Sequence, residues 1–171
     1  MEKVDYFYHG TGEYILDALN TMKSIITSGA IKCRRNLGKT DEPTSWNGID
    51  YVSVCAYDGD LDIIDSSFGG WIQYCPCFIL SNDIDAIKCE YTRDFTDVGG
   101  YSQYKDEWHV KGDIPIDKVI GIALPDIVFT DEEKELVEDI ISAANEFGWE
   151  IFSSTDALAD DVRERFKGKK K

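Results

Sequence analysis

Four residues near the start of the chain, Tyr8-His9-Gly10-Thr11, bring together a phenol, an imidazole, a bare stretch of backbone and a hydroxyl. They close an apolar run (Val4, Tyr6, Phe7, Tyr8) and stand just ahead of an amphipathic segment, and His9 is one of only 2 histidines in the chain. A glycine at such a strand end lets the backbone approach a ligand closely. Two later segments add what this group lacks: Asn47-Gly48-Ile49-Asp50-Tyr51-Val52-Ser53 brings a second phenol ring, and Asp106-Glu107-Trp108-His109-Val110 brings a carboxylate. Breaking the bond between nicotinamide and ribose develops positive charge on the ribose, so that chemistry needs a nearby carboxylate and a pocket that holds the departing ring flat. His9 can bond a ribose hydroxyl, Gly10 can offer backbone groups to an amide, Tyr51 can present its face to the nicotinamide, and Glu107 can face the developing cation. At about 4 Å and an effective dielectric near 20 such a charge pair contributes on the order of 4 kcal/mol. Together the three segments point to an NAD-using site.

These side chains must be positioned by the elements around them. Residues 13–28 place Ile15, Ala18, Leu19, Met22, Ile25 and Ile26 on one face at helical spacing, with Gly29 as the stop. Residues 31–47 are polar, contain Gly38 and Pro43, and read as a long functional loop. Apolar, β-rich stretches at 49–56, 71–80, 84–90 and 107–111 read as strands, separated by Gly, Asn and Asp signals. On the last of these, His109 shares the strand face of Glu107 two residues away. Lys118 to Leu124 reads as a buried strand ended by Pro125. Thr130-x-x-Glu133 is a capping box for a helix with the stripe Leu136, Val137, Ile140, Ile141, Ala144 and Phe147, stopped at Gly148. A short strand, Trp149 to Ser153, and a helix from about Asp156 to Phe166 follow. Strand 118–124, the capped helix and strand 149–153 are expected to form a β-α-β crossover with parallel strands.

The 171 residues suit one domain, 1–171, with 126–171 as a C-terminal α/β extension. No apolar run reaches the length of a membrane span, and no secretory signal is readable at Met1 to Asp5, so a soluble, cytoplasmic protein is expected. Five scattered cysteines (Cys33, Cys55, Cys75, Cys77, Cys89) form no Cys-x-x-Cys pair and meet no clustered histidines, so they read as core residues and no metal site is expected. Cys75-Pro76-Cys77 reads as an edge-strand feature rather than a redox pair. The net charge of −15 is concentrated at Asp58 to Asp65, Asp131 to Asp139 and Asp156 to Asp161. Such a field repels phosphate backbones, which makes nucleic acid an unlikely partner. Against that trend Lys32, Arg34, Arg35 and Lys39 put four of the 18 basic residues into one short stretch, either a solvated loop or a clamp for an anionic ligand.

Tyr8-His9-Gly10-Thr11, the helix stopped at Ser28-Gly29-Ala30-Ile31, the Asn47-Gly48-Ile49-x-Tyr51-x-Ser53 segment and the late strand-borne Glu107 resemble the ADP-ribosyltransferase superfamily, in its His-Tyr-Glu branch. The resemblance covers roughly residues 6–125. It implies an α+β fold of two packed antiparallel sheets, with an N-terminal helix and a C-terminal strand-helix-strand-helix extension, and NAD as co-substrate in the cleft. It also implies roles: His9 on the adenosine-side ribose, Gly10 on the nicotinamide amide, Tyr51 stacked on the nicotinamide, Ser53 supporting the site, and Glu107 as the catalytic acid. Thr11, Arg34 and Arg35 would complete the cofactor-binding set. The activity implied is mono-ADP-ribosyl transfer to a macromolecule, with a protein acceptor favoured, as in toxins and effectors. This chain departs from the pattern at Asp62, where the second aromatic of the nicotinamide sandwich is expected, so Tyr57, Phe68 or Trp71 must serve. It also carries Lys105 two residues before Glu107, where arginine-modifying relatives have Gln or Glu. The His-Gly-Thr opening and basic segment resemble RNA 2′-phosphotransferases as well. A non-catalytic NAD or ADP-ribose binding module, or an acidic interaction protein, is the alternative from another class.

Overall fold

The computed structural model describes residues 4–38, 49–91, 101–154 and 158–167. In chain order the elements are β1 (Phe7–Gly10), α1 (Ile15–Ser28), β2 (Ala30–Ile31), β3 (Tyr51–Ala56), α2 (Ser67–Gly70), β4 (Cys77–Leu80), β5 (Ala86–Lys88), β6 (Glu90–Tyr91) and β7 (Tyr101–Ser102). They continue with β8 (Glu107–Lys111), β9 (Ile114–Pro115), β10 (Val119–Pro125), α3 (Asp131–Phe147), β11 (Glu150–Ser154) and α4 (Leu158–Phe166). Seven strands form one mixed sheet in the order β11-β10-β4-β1-β3-β8-β5, while β2 pairs with β9 and β6 with β7. The class is α+β, as expected.

Both faces of this sheet are covered, so its central strands are apolar at successive positions instead of alternating. All four residues of β4 are buried. On one side α1 and α3 contribute Leu19, Met22, Ile140 and Ala144 to a core with Phe7, Val54, Phe78 and Leu80. On the other, Phe68 from α2 and Val162 and Phe166 from α4 pack with Tyr8, Cys55, Ile79 and Phe152. Both helices on the first side start or stop as their sequences dictate. Gly29 terminates α1 in the left-handed region at φ 81°, its N–H donating to the Ile25 carbonyl at 3.0 Å. Thr130 and Glu133 close a reciprocal capping box on α3. The parallel pairing of β10 with β11 across α3 is the expected crossover.

Two expectations need correction, and part of a third lies outside the described residues. Residues 71–80 do not form one strand: a 3₁₀ turn occupies Ile72–Tyr74 and the strand begins only at Cys77. A tertiary contact explains the difference. The Asp106 carboxylate accepts from Ser67 N (2.8 Å), Phe68 N (3.0 Å), Ser66 Oγ (2.7 Å) and Ser67 Oγ (3.2 Å), holding the chain before residue 71 in helical turns. Cys75-Pro76-Cys77 is not at a sheet edge either, because β4 lies between β10 and β1. Pro76 is tolerated because it precedes the first strand residue, where no ladder N–H is required. Finally, the second half of the expected long loop, with Lys39, Pro43, Asn47 and Gly48, lies outside the described residues.

Candidate active site where two strands part

Strand β1 is paired unequally with its neighbours. It runs against β4 over all four residues, from Phe7↔Leu80 to Gly10↔Cys77, but against β3 only at Phe7↔Ala56 and Tyr8↔Cys55. Beyond Tyr8 the two strands diverge. The His9 ring crosses the divergence, with Nδ1 2.7 Å from the Ser53 carbonyl oxygen. A carbonyl only accepts, so Nδ1 carries the hydrogen and Nε2 of the neutral ring is left as an acceptor. Burial pushes the His9 pKa below its ordinary value, opposed by the bond to Ser53. The ring is therefore neutral at physiological pH.

This bridge determines what Gly10 presents. In an antiparallel ladder successive residues direct their backbone groups to opposite neighbours. Thr11 N donates to Pro76 O at 3.1 Å, toward the β4 side, so the Gly10 N–H and C=O turn toward β3. There the Ser53 carbonyl, which a continued ladder would offer to Gly10, is held by His9 instead. Gly10 also has a steric reason to be glycine. A Cβ would lie 2.8 Å from two ring carbons of Trp71 and 3.2 Å from Ile72 Cγ1. Of the three aromatics open for the second face of the site, Phe68 is fully buried, 4.5 Å from the Tyr8 ring. Tyr57 packs on Phe68 at 5.2 Å and carries the Arg163 guanidinium at 4.8 Å. Trp71 is the one that adjoins Gly10.

Strand β8 carries the expected acid, Glu107. Its register against β3 sets Glu107 opposite Cys55, His109 opposite Ser53 and Lys111 opposite Tyr51, so these residues share a face of the sheet. Glu107 is 7% exposed. Its Oε1 accepts from Ser102 Oγ at 2.8 Å, and its Oε2 lies 2.6 Å from His109 Nε2. The His109 ring stands 5.7 Å from Tyr51, inclined by 36°. A continuous run thus connects Tyr51, His109, Glu107 and Ser102, and Ser53 links it to His9. His109, expected on the face of Glu107, is buried against it. Two other acids near this strand lie apart from the run: Asp106 holds α2, and Glu90 is exposed on β6.

The remaining expected site residues serve other contacts. Thr11 Oγ1 donates to Pro76 O at 2.9 Å, fastening β1 to β4. Arg35 forks onto Asp50 through Nε and Nη2 (2.5 and 3.3 Å), and its N donates to Ile49 O at 2.9 Å, which pins the basic turn to the start of β3. Arg34 beside it is half-buried and Lys32 exposed. Sequence reasoning missed Ser102, and it missed Cys89, whose N donates to the Glu107 carbonyl at 3.1 Å. Neither carries a local signal. A separate concavity of about 360 Å³ lies beside Tyr6, Tyr57, Trp108 and Arg163, at the end of β1 away from Gly10.

No family model and no curated protein matches the chain by sequence. Its structure is similar to that of Thermus sp. 2.9 DarT in complex with NAD+, at 12% identity and TM-score 0.46, covering 89% of this chain and 96% of that one. It is similar to the same protein in complex with carba-NAD+ (11% identity, TM-score 0.46, 90% and 96% covered). The complex of that protein with ADP-ribosylated ssDNA is a third such structure (12% identity, TM-score 0.45, 90% and 97% covered). This last complex overturns the expectation that nucleic acid is an unlikely partner. The expectation rested on net charge, which sums the whole surface, whereas a bound strand responds to charges within a Debye length, about 8 Å at physiological salt.

Proposed function

We propose that this chain transfers ADP-ribose from NAD to a macromolecule and releases nicotinamide. The observation that carries the reading is the parting of β1 from β3, which turns the Gly10 N–H and C=O into an opening beside Trp71, with Tyr51 two residues from Ser53 on the same face of β3. A carboxamide has one acceptor oxygen and one donor nitrogen, and the Gly10 pair complements both. The two aromatic side chains bracket the ring plane, and His9 Nε2 accepts from a ribose hydroxyl. Glu107, oriented by Ser102 and His109, supplies the negative charge that stabilises the oxocarbenium-like ribose. The C1′–N bond breaks with its electron pair passing to nicotinamide, which leaves neutral. An acceptor nucleophile then bonds to C1′ and gives up its proton to solvent.

The acceptor is a protein side chain or single-stranded DNA, and the assay must separate these. Biotinylated NAD incubated with lysate and, separately, with single-stranded DNA should label one fraction in the wild type and neither with Glu107→Gln. Labelling absent from both fractions, or unchanged in the variant, overturns the proposal. The burial of Glu107 favours one second reading, a binding module for NAD or ADP-ribose in which this carboxylate is structural. NAD bound without release of nicotinamide would select it.

A further inference from the structure

Three side chains of different chemistry meet at the carboxylate of the proposed site. One ligand atom each from Cys89, Glu107 and His109 lies within 4.8 Å of the other two, and all three residues are buried. No sequence spacing announces this set, because Cys89 and Glu107 are brought together by the backbone bond from Cys89 N to Glu107 O. We propose that these residues form a binding site for a thiophilic divalent cation such as Zn²⁺.

The chemistry of the donors decides the class of ion. A thiolate and a carboxylate together carry two negative charges and imidazole adds a neutral nitrogen, a set that matches a dication and selects zinc, cobalt or cadmium over magnesium and calcium. Three protein ligands leave a fourth tetrahedral position for water. Ligands around tetrahedral zinc stand roughly 3.3 to 3.8 Å apart, as bond lengths of about 2.0 to 2.3 Å require. The 2.6 Å contact between Glu107 and His109 must therefore open, and the widest separation must close by about 1 Å. Binding replaces that hydrogen bond with two metal bonds. The Cys89 thiol proton leaves to water, and the imidazole hydrogen moves to Nδ1 as Nε2 takes the metal. Access for small cations is favoured by the net charge of −15.

One consequence rests on the transferase reading above: a cation held here takes Glu107 out of action, so the site is inhibitory. The test uses the full chain stripped of metal with a chelator. Titration with Co²⁺ should produce a near-ultraviolet thiolate-to-cobalt charge-transfer band that Zn²⁺ abolishes and Mg²⁺ does not. Cys89→Ser should lose the band, and Glu107→Gln should weaken cobalt binding at least roughly tenfold. The other four cysteines are buried and unpaired, so a band that persists in Cys89→Ser places the metal elsewhere and overturns the proposal, as does the absence of any band. Zn²⁺ should also raise the melting temperature of the wild type and leave that of Cys89→Ser unchanged; an equal rise in both counts against the site. Nicotinamide release should be blocked by Zn²⁺ in the wild type and resist it in Cys89→Ser. A cobalt band without any NAD turnover leaves the metal site standing and rejects the transferase reading. Turnover that ignores Zn²⁺, with no band, does the reverse.

Discussion

Replacing Glu107 with glutamine separates the chemical role of its charge from its structural role. The carboxylate accepts from Ser102 Oγ at 2.8 Å and meets His109 Nε2 at 2.6 Å, inside a pocket that leaves it 7% exposed. Glutamine has the same shape. Its amide oxygen can accept from one partner and its NH₂ can donate to the other, since a hydroxyl and a neutral imidazole can each reverse roles. The fold therefore loses only the difference between charge-assisted and neutral hydrogen bonds, about 1 to 2 kcal/mol. For a chain of this length that is a fall in Tm of roughly 2 to 8 °C. The effect on rate is larger, because the amide cannot stabilise a cation developing on ribose. Removing one preorganised electrostatic group costs roughly 10² to 10³ in rate. Nicotinamide release from NAD, followed by chromatography on protein whose melting curve has been checked, reads both quantities. A folded Glu107→Gln protein that releases nicotinamide at the wild-type rate would refute the assignment. Glu107→Ala is the structural contrast: it leaves Ser102 and His109 buried without this acceptor, at about 1 to 3 kcal/mol for each, and should melt markedly earlier than the glutamine variant.

Other perturbations test the frame around that carboxylate. Gly10→Ala puts a methyl 2.8 Å from the Trp71 ring, so the indole must shift; we expect a loss of about 1 to 3 kcal/mol by denaturant titration, altered Trp fluorescence and weakened NAD binding, and unchanged fluorescence would show that Trp71 does not rest there. His9 has a folded pKa below its unfolded value, so the unfolded chain binds the extra proton and stability must fall as pH drops below about 6.5, continuing until the folded pKa is passed. Chemical denaturation from pH 7.5 to 5 should give a shallower decline for His9→Gln than for the wild type, and identical slopes would contradict the buried neutral ring. Asp106→Ala removes the acceptor for four hydrogen bonds and leaves the Ser67 and Phe68 N–H groups buried, at about 1 to 3 kcal/mol for each; a loss of about 2 to 6 kcal/mol is expected in thermal melts. A change below 1 kcal/mol would mean that this carboxylate does not hold α2.

What could be read from the chain unaided was whatever depends on neighbours a few residues apart. The stripe and stop of α1, the capping box of α3 and the shared face of Glu107 and His109 follow from helical spacing, cap residues and two-residue alternation, which act locally; the parallel crossover into β11 follows from the strand-helix-strand order. The break in 71–80 escaped because its cause, Asp106, stands 38 to 40 residues from the groups it holds. The same holds for the site's decisive features. His9 reaches Ser53 across 44 residues, Trp71 demands a glycine at position 10, and Cys89 comes to rest against Glu107. Strand register and packing decide these contacts, and register is a property of two distant segments at once. Net charge likewise sums over a surface whose local arrangement only the folded chain determines. Residue types and spacing established which chemistry was available; the parting of β1 from β3 decided where its groups face, because there a strand end turns its backbone toward a neighbour that has moved away.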